Sequence, residues 1–296
     1  MRHESVMVQE MMEALDLKSG DTVVDGTLGL GGHSQHFAKA ITPGGTILGI
    51  DWDDAMLAEA QRRLSDIEGV RFLFVRDDFR NIGTIIKDHE LVPNAIALDL
   101  GLNFAQIEDP TRGITFTVDG PLDMRLDRSK GETASSLLNR LSLTEIENIL
   151  HEYGDERWAR MIAKRIVERR KDSPLRTTQD LVDCVLAAIP PGARDKRIHP
   201  ATRTFQAVRI AVTGELDSVE IGVRGAAEAL TVNGTLAVLS YHSGEDRIVK
   251  QAFRELTAAG HHKELTKKPV PASADEAARN PKSRSAKMRA IRRISN

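Results

Sequence analysis

Short apolar runs alternate with amphipathic segments through the first hundred residues of the chain. The apolar runs have the length of buried strands, and the segments between them place apolar residues at helical spacing. The pattern predicts strands over 22–25, 46–51, 70–75 and 94–99, and helices over 7–17, 34–41, 54–65 and 82–87. This alternation is typical of a parallel sheet with right-handed helical crossovers.

The alternation stops near residue 110. Residues 110–130 are polar and rich in Gly, Asp and Pro, and residues 132–188 have helical periodicity with no candidate strand. The apolar stripe of one helix in this stretch is predicted to comprise Trp158, Met161, Ile162 and Ile166. This part of the chain is therefore predicted to be an all-helical insertion.

Strand character returns at 234–240, and a helix is expected to follow it. Residues 286–294 are predicted to form an edge strand. The sequence thus predicts an α/β, Rossmann-like sheet domain with an inserted all-helical domain. The predicted boundaries are 1–110 and 205–296 for the sheet domain, and 111–204 for the insertion.

The composition and the lengths of the apolar runs limit the classes of protein to which this chain can belong. Of the 296 residues, 41% are hydrophobic and 28% are charged, which is typical of a globular chain. No apolar run approaches the roughly 20 residues of a spanning helix, and the N-terminus lacks the pattern of a secretory signal. The one cysteine, Cys184, excludes an internal disulfide framework. A cytoplasmic protein that does not bind membranes is expected.

Charge is distributed unevenly along the chain. The net charge is −2, but residues 261–296 carry ten Lys and Arg against three Asp and Glu, so residues 1–260 carry −9. Further basic clusters occupy 157–171 and 194–209. A basic tail and basic clusters on an acidic body suggest a polyanionic partner, although a charged helix face is often only solvated.

A glycine-rich stretch, residues 26–32, follows the first predicted strand directly. Glycines there let the backbone approach a ligand closely, and Asp51 at the end of the second strand can accept hydrogen bonds from a ribose. The glycine spacing differs from the G-x-G-x-x-G of dinucleotide-binding loops. Since each strand ends near an aspartate, the pattern favours S-adenosylmethionine, a cationic methyl donor, over a nicotinamide dinucleotide.

Specific motifs extend this interpretation over most of the chain. They are HESV (3–6), DGTLG (25–29), GGHS (31–34), GID (49–51), DLG (99–101), DGPLDMR (119–125), YG (153–154), HPATRTFQ (199–206), RI (209–210), SYHS (240–243), EDR (245–247) and NPKSRSA (280–286). In these segments the chain resembles the ribosomal small-subunit RNA methyltransferase H family of MraW-like proteins. The resemblance implies a class I methyltransferase fold that binds S-adenosylmethionine, with the helical insertion (111–204) expected to recognise the substrate. It also implies methylation of the N4 amine of a decoding-centre cytidine in 16S rRNA of the small ribosomal subunit.

The resemblance further implies a set of cofactor contacts. Gly31 and Gly32 would line the methionine end of S-adenosylmethionine, Asp51 would take the ribose, and Phe79 would pack on the adenine. Asp99 would lie near the sulfonium. The complete implied set is Gly31, Gly32, His33, Asp51, Phe79, Asp99 and Gln106.

The expected chemistry suggests where the acceptor base binds. A cytosine amine is a poor nucleophile, and acceptors for its hydrogens would take up the positive charge that develops during transfer. Asp119, Asp123 and His242 are the candidates for this catalytic contact, and no metal is expected because the histidines show no ligand spacing. Phosphate contacts are expected from the basic clusters, in particular from Arg203, Arg209 and Arg284.

Two departures from the family pattern keep an alternative open. This chain has Asn103-Phe104 where the family usually has Ser-Ser, and Gly244 where it usually has Leu. A non-catalytic RNA-binding or ribosome assembly factor that retains the methyltransferase scaffold is the alternative function. The oligomeric state, with a homodimer among the options, is not fixed by the sequence.

Overall fold

The computed structural model describes residues 4–101, 109–126, 128–195 and 198–295. The chain divides into two compact units. The sheet unit comprises Met1–Gly101 and Leu216–Asn296, and the helical unit comprises Leu102–Glu215. The predicted helical insertion ended at residue 204, whereas the helical unit continues to Glu215. The helix over Thr202–Thr213 accounts for this difference, because its Phe205 and Val208 are buried in the core of the helical unit.

The described strands all belong to one sheet. They are β1 (Thr22–Asp25), β2 (Gly45–Asp51), β3 (Val70–Arg76), β4 (Ala95–Asp99), β5 (Thr235–Ser240), β6 (His262–Glu264), β7 (Val270–Pro271) and β8 (Lys287–Arg293). Their order is β3-β2-β1-β4-β5-β8-β6, with β7 also paired to β8. The neighbours among β1 to β5 are parallel, and β8 is antiparallel to its partners. The predicted Rossmann-like sheet is confirmed.

The described helices follow the predicted alternation. They are α1 (Val8–Leu15), α2 (Gly32–Ile41), α3 (Asp54–Leu64), α4 (Ile82–Asp88), α5 (Ala134–Arg140), α6 (Leu143–Gly154), α7 (Ala159–Asp172), α8 (Thr178–Ala188), α9 (Thr202–Thr213), α10 (Glu215–Ala229), α11 (Ser243–Ala258) and α12 (Ala274–Arg279). Among the described residues, no helix is both long enough and apolar enough to cross a membrane.

Both faces of the sheet are covered by apolar side chains. Successive residues of a strand point to opposite faces, so Val23 and Val24 of β1 enter different cores. Val23 belongs to the cluster that contains Phe37 of α2, and Val24 to the one that contains Phe253 of α11. Burial on both faces explains why these strands are continuous apolar runs in the sequence.

The helical unit has a separate core. Ile146 and Leu150 of α6, Ile162 and Ile166 of α7, and Val185 of α8 are fully buried in it. Ser142 and Thr177 begin α6 and α8 with capping boxes, which satisfy main-chain N–H groups at the helix starts.

Two local predictions were wrong. Residue Met161 is 42% exposed and does not belong to the apolar stripe of α7, which follows an i, i+4 spacing through Ile162 and Ile166. The last strand, β8, is not an edge strand, since it pairs with β5 on one side and with β6 and β7 on the other. Strands of three and two residues are too short to show a period in the sequence.

Candidate functional site

The order of the sheet reverses beside β1. From β1 the chain proceeds outward through β2 to β3, and it later returns to the other side of β1 as β4. In open parallel sheets, ligands bind beyond the carboxyl ends of the strands at such a switch point. Three carboxylates close the strands there, namely Asp25 on β1, Asp51 on β2 and Asp99 on β4.

The loop between β1 and α2 requires glycine at specific positions. Gly29 and Gly31 have positive φ angles of 51° and 72°, which favour glycine. A Cβ atom on Gly32, the first residue of α2, would lie 2.0 Å from the Ser5 hydroxyl oxygen. The main chain therefore packs too closely there for a larger residue unless Ser5 moves.

The carboxylate of Asp51 fixes this loop to the end of β2. Its Oδ2 accepts a 2.8 Å hydrogen bond from the main-chain N–H of Gly29, and its Oδ1 accepts one of 2.9 Å from that of Asp53. Burial raises the pKa of Asp51, and the two main-chain donors oppose that rise. Each carboxylate oxygen can accept more than one hydrogen bond, so the group remains able to bind ribose hydroxyls.

Asp99 is held by a pair of side chains that approach from different parts of the sheet unit. The Tyr241 hydroxyl donates a 2.7 Å hydrogen bond to Asp99 Oδ1, and His33 Nε2 lies 3.4 Å from Asp99 Oδ2. The main-chain N–H of Asp99 donates to Thr27 Oγ1 at 2.6 Å. His33, Asp99 and Tyr241 are called the Asp99 cluster below.

Burial and neighbouring charges shift the pKa values of Tyr241 and His33 in the Asp99 cluster. Burial, followed by the negative charge of Asp99, raises the pKa of Tyr241, so the hydroxyl stays protonated and serves as a donor. Burial lowers the pKa of His33, but Asp99, Asp25 and Glu276 together outweigh it and the net shift is upward. Both ring nitrogens of His33 are buried, and neither has a well-aligned hydrogen bond within the described part of the chain. The imidazole can therefore still serve as a hydrogen-bonding group for a ligand.

Asp25, the last residue of β1, binds α2 through its side chain. Its side chain is 2% exposed and accepts a 2.6 Å hydrogen bond from the Ser34 hydroxyl of α2. Burial raises the pKa of Asp25, and the hydrogen bond from Ser34 partly offsets this effect. This bond ties the first turn of α2 to the end of β1, which is a structural role.

Phe79 lies three residues after the end of β3. Asp78 begins a short 3₁₀ turn there by accepting a 2.9 Å hydrogen bond from the main-chain N–H of Arg80. The Phe79 ring packs tightly on Gly222 of α10, where an added Cβ would lie 2.5 Å from Cδ2 of the ring. The side chain remains partly exposed, so packing on an adenine is sterically available and stays a prediction.

The three predicted acceptor contacts are all engaged in local structure. Asp119 Oδ1 accepts a 3.0 Å hydrogen bond from the main-chain N–H of Gln179, and Asp123 binds Arg125 through both of its oxygens. His242 begins α11, and its Nδ1 accepts a hydrogen bond from the main-chain N–H of Glu245 in a capping box. Their catalytic roles stay predictions.

The predicted RNA contacts differ in how far their charges are neutralised. Arg209 forms a largely buried 2.6 Å ion pair with Glu215, so its guanidinium is already neutralised. Arg284 donates to the Ala277 carbonyl oxygen, and Arg203 donates to the Asp155 carbonyl oxygen. Gln106 and the Asn103-Phe104 departure lie outside the described residues.

The sequence alone assigns no role to Tyr241, although this residue lies in the SYHS motif. The signal that could have identified it is topological. Tyr241 follows β5, whose Leu239 pairs with Asp99 on the neighbouring β4. The two side chains are 142 positions apart in the sequence and adjacent at one edge of the sheet.

Replacing Tyr241 by phenylalanine tests the Asp99 cluster. We expect Tyr241→Phe to weaken S-adenosylmethionine binding by about tenfold, because a hydrogen bond to a charged group contributes about 1.5–3 kcal/mol. Isothermal titration calorimetry measures the effect, with thermal unfolding as the control for folding. An affinity equal to that of the unaltered protein would show that Tyr241 does not position Asp99 for the cofactor.

A parallel sheet with a glycine-rich loop after β1 and a carboxylate after β2 defines a Rossmann-like protein that binds a nucleotide-derived cofactor. The chain belongs to the MraW methylase family, whose model matches residues 1–294. The family predicted from the motifs is thereby confirmed, as is S-adenosylmethionine as the cofactor. The residues present fit this group, since the loop has no side chain at Gly31 or Gly32 and the Asp99 carboxylate faces the buried His33 ring.

Similar proteins span nearly the whole chain. A "Ribosomal RNA small subunit methyltransferase H" from Trichlorobacter lovleyi is 44% identical, covering 99% of this chain and 98% of that protein. A protein of the same name from Geobacter sp. is 42% identical over the same shares. Among solved structures, an rRNA methylase from Streptococcus thermophilus covers 97% of this chain and 94% of its own, with 13% identity and a TM-score of 0.37.

Proposed function

We propose that this protein methylates the N4 amine of a cytidine in the decoding centre of 16S rRNA within the small ribosomal subunit. The chain is an S-adenosylmethionine-dependent rRNA methyltransferase, as its family and its relatives indicate. The single observation that carries the finer proposal is the near end-to-end similarity to relatives named for the small ribosomal subunit. Action on rRNA agrees with a cytoplasmic location.

The carboxyl edge of the sheet is proposed to hold the cofactor. Asp51 would accept the ribose hydroxyls, Phe79 would cover the adenine, and the main chain at Gly31 and Gly32 would lie along the methionine portion. Asp99 would face the cationic end, where a fixed negative charge in a partly buried site attracts an ammonium or sulfonium group. When bound, S-adenosylmethionine supplies an electrophilic methyl group on a positively charged sulfur.

The residues of this chain would contribute positioning and electrostatics. Methyl transfer requires the attacking nitrogen, the methyl carbon and the sulfur to be collinear, so orientation is the largest contribution. The Tyr241 hydroxyl fixes Oδ1 of Asp99 through a hydrogen bond, and the His33 ring lies beside Oδ2. Acceptors for the amine hydrogens would take up the positive charge on nitrogen, and the proton can leave after transfer. Among the candidates, His242 belongs to the sheet unit, whereas Asp119 and Asp123 belong to the helical unit.

The alternative function is a non-catalytic assembly factor that retains the methyltransferase scaffold. It rests on the two departures from the family pattern, at Asn103-Phe104 and Gly244. At Gly244, an added Cβ would lie 3.1 Å from His242 Nδ1, so a larger residue would require that imidazole to shift. Glycine there is compatible with the observed capping arrangement of His242. An assembly factor without activity would bind the methyl donor or RNA but transfer no methyl group.

Nucleoside analysis separates these functions. Small ribosomal subunits that lack decoding-centre methylation are incubated with the protein and S-adenosylmethionine labelled in its methyl group. The rRNA is then digested to nucleosides for mass spectrometry. We expect N4-methylcytidine, and free 16S rRNA in a parallel reaction shows whether the assembled subunit is required. Label in 5-methylcytidine or in another nucleoside would contradict the N4 proposal, and cofactor binding with no label in RNA would favour the assembly factor.

A further inference from the structure

A pocket of about 200 Å³ opens in the helical unit, apart from any residue assigned above to the cofactor. It lies where the start of α7, the segment after α8 and the start of α9 meet. The side chains that matter here are Arg157, Trp158, Arg194, Ile198, His199 and Arg203. We call it the Arg157 pocket.

The three guanidinium groups of the Arg157 pocket bind main-chain oxygens rather than carboxylates. Arg157 donates to the Ala193 carbonyl oxygen at 2.6 Å, and Arg203 donates to that of Asp155 at 3.4 Å. Arg194 donates to the carbonyl oxygens of Leu186 and Ile189 at the end of α8. None of the three forms an ion pair with any described carboxylate, so their charges are oriented but not neutralised.

Other basic residues of the same unit differ in this respect. Arg165 Nη1 lies 3.1 Å from Glu168 Oε2, and Arg169 Nη2 lies 3.3 Å from Asp180 Oδ1. These two guanidinium groups therefore have acidic partners. Two carboxylates border the pocket, Glu156 and Asp195. Glu156 is 4% exposed and accepts a hydrogen bond from the main-chain N–H of Trp158. The three arginines therefore outnumber the acidic groups around the pocket.

An aromatic ring completes the Arg157 pocket. The Arg157 guanidinium carbon lies 5.7 Å from the centroid of the Trp158 ring, a cation–π distance. The indole N–H of Trp158 is buried and has no acceptor among the described residues. A buried donor without an acceptor costs free energy, which a ligand oxygen could recover.

We propose that the Arg157 pocket binds a phosphate group of a single-stranded segment of the RNA substrate. Guanidinium groups match phosphate geometry with paired N–H donors, and tryptophan beside arginine is a common surface for single-stranded nucleic acid. A volume of about 200 Å³ is large enough for a phosphate group. This inference rests on the proposed function only in taking RNA as the substrate.

Fluorescence anisotropy of a labelled oligocytidylate of about ten nucleotides tests the Arg157 pocket on the full chain. Arg157→Ala and Arg203→Ala are each compared with Arg140→Ala, an arginine of α5 that pairs with Glu132 and lies outside the pocket and the basic clusters. We expect the pocket variants to weaken binding by about tenfold and to reduce the salt dependence by about 0.7 per lost phosphate contact. Arg140→Ala should stay within about twofold of the unaltered protein.

Lysine variants at the same positions are the control for loss of structure. Arg157→Lys and Arg203→Lys keep the charge, and they should restore most of the salt dependence if the loss in the alanine variants is one of phosphate binding. Alanine variants that bind RNA like the unaltered protein, with the same salt dependence, would overturn the proposal. So would binding of inorganic phosphate or cytidine 5′-monophosphate that fails to compete with the oligonucleotide. Methyl transfer to ribosomal subunits is measured separately, so the pocket proposal can fail while the proposed function stands.

Discussion

Replacing Asp99 with asparagine is expected to lower the rate of methyl transfer by at least about a hundredfold. Asparagine keeps the shape of the side chain and a hydrogen-bond acceptor for Tyr241, but it removes the negative charge. A charge in a partly buried site contributes several times more than in water, and loss of one preorganised electrostatic contact typically costs about 10²–10³ in rate. Transfer of labelled methyl to small ribosomal subunits measures the effect.

An exposed aspartate of the same unit provides the control for Asp99. Asp88, at the end of α4, is exposed, and Asp88→Asn should leave the rate unchanged. In Asp99→Asn the pKa of His33 should also fall, because burial lowers this pKa and Asp99 is the strongest of the groups that raise it. Protonated His33 should then be lost at a lower pH, which the histidine ring signals report in an NMR titration. Equal rates for the two asparagine variants would contradict the assigned role of Asp99.

The largest effect on stability is expected from Arg289. This residue is 4% exposed on β8, and its guanidinium binds both carboxylate oxygens of Asp246 on α11, at 2.7 and 3.2 Å. Among the described residues, Arg289→Ala would leave the Asp246 carboxylate with Lys287 as its remaining cationic partner, whose Nζ lies 3.9 Å from Oδ2. Breaking a buried ion pair from one side costs about 3–5 kcal/mol, so the free energy of unfolding should fall by that amount.

A double substitution separates the ion pair from simple packing at this position. Chemical denaturation of Arg289→Ala is compared with that of the combined Arg289→Met and Asp246→Leu variant. Replacement of both charges by apolar groups removes the unpaired carboxylate, so the double variant should recover most of the lost stability. If the double variant were as unstable as Arg289→Ala, packing rather than charge would explain the loss.

The sheet and the carboxylates of the site were largely predictable from the sequence. Strands buried on both faces appear as continuous apolar runs, and the aspartates that end them mark the edge of a parallel sheet. The pattern of strands alone therefore places Asp25, Asp51 and Asp99 at one edge. The antiparallel β6 and β7 could not be predicted, since two or three residues carry no periodicity.

Contacts between side chains that are far apart in the sequence could not be predicted from it. Periodicity shows that α9 is amphipathic, but it does not show which core its apolar face joins. Similarly, Arg203 and Arg209 are indistinguishable as basic residues in one motif region. Only the structure shows that Arg209 is neutralised by Glu215 while Arg203 binds a carbonyl oxygen. The pairing of Tyr241 with Asp99 depends on strand order, which local patterns do not encode.

We propose that the carboxyl edge of β1, β2 and β4 holds the methyl donor. A crystal structure of the protein with S-adenosylhomocysteine, the demethylated product, tests it most directly. We predict ribose hydroxyls within hydrogen-bond distance of Asp51, and the amino group or sulfur of the product beside Asp99. Product bound elsewhere, or bound with Asp51 and Asp99 out of contact, would show that this edge of the sheet is not the cofactor site.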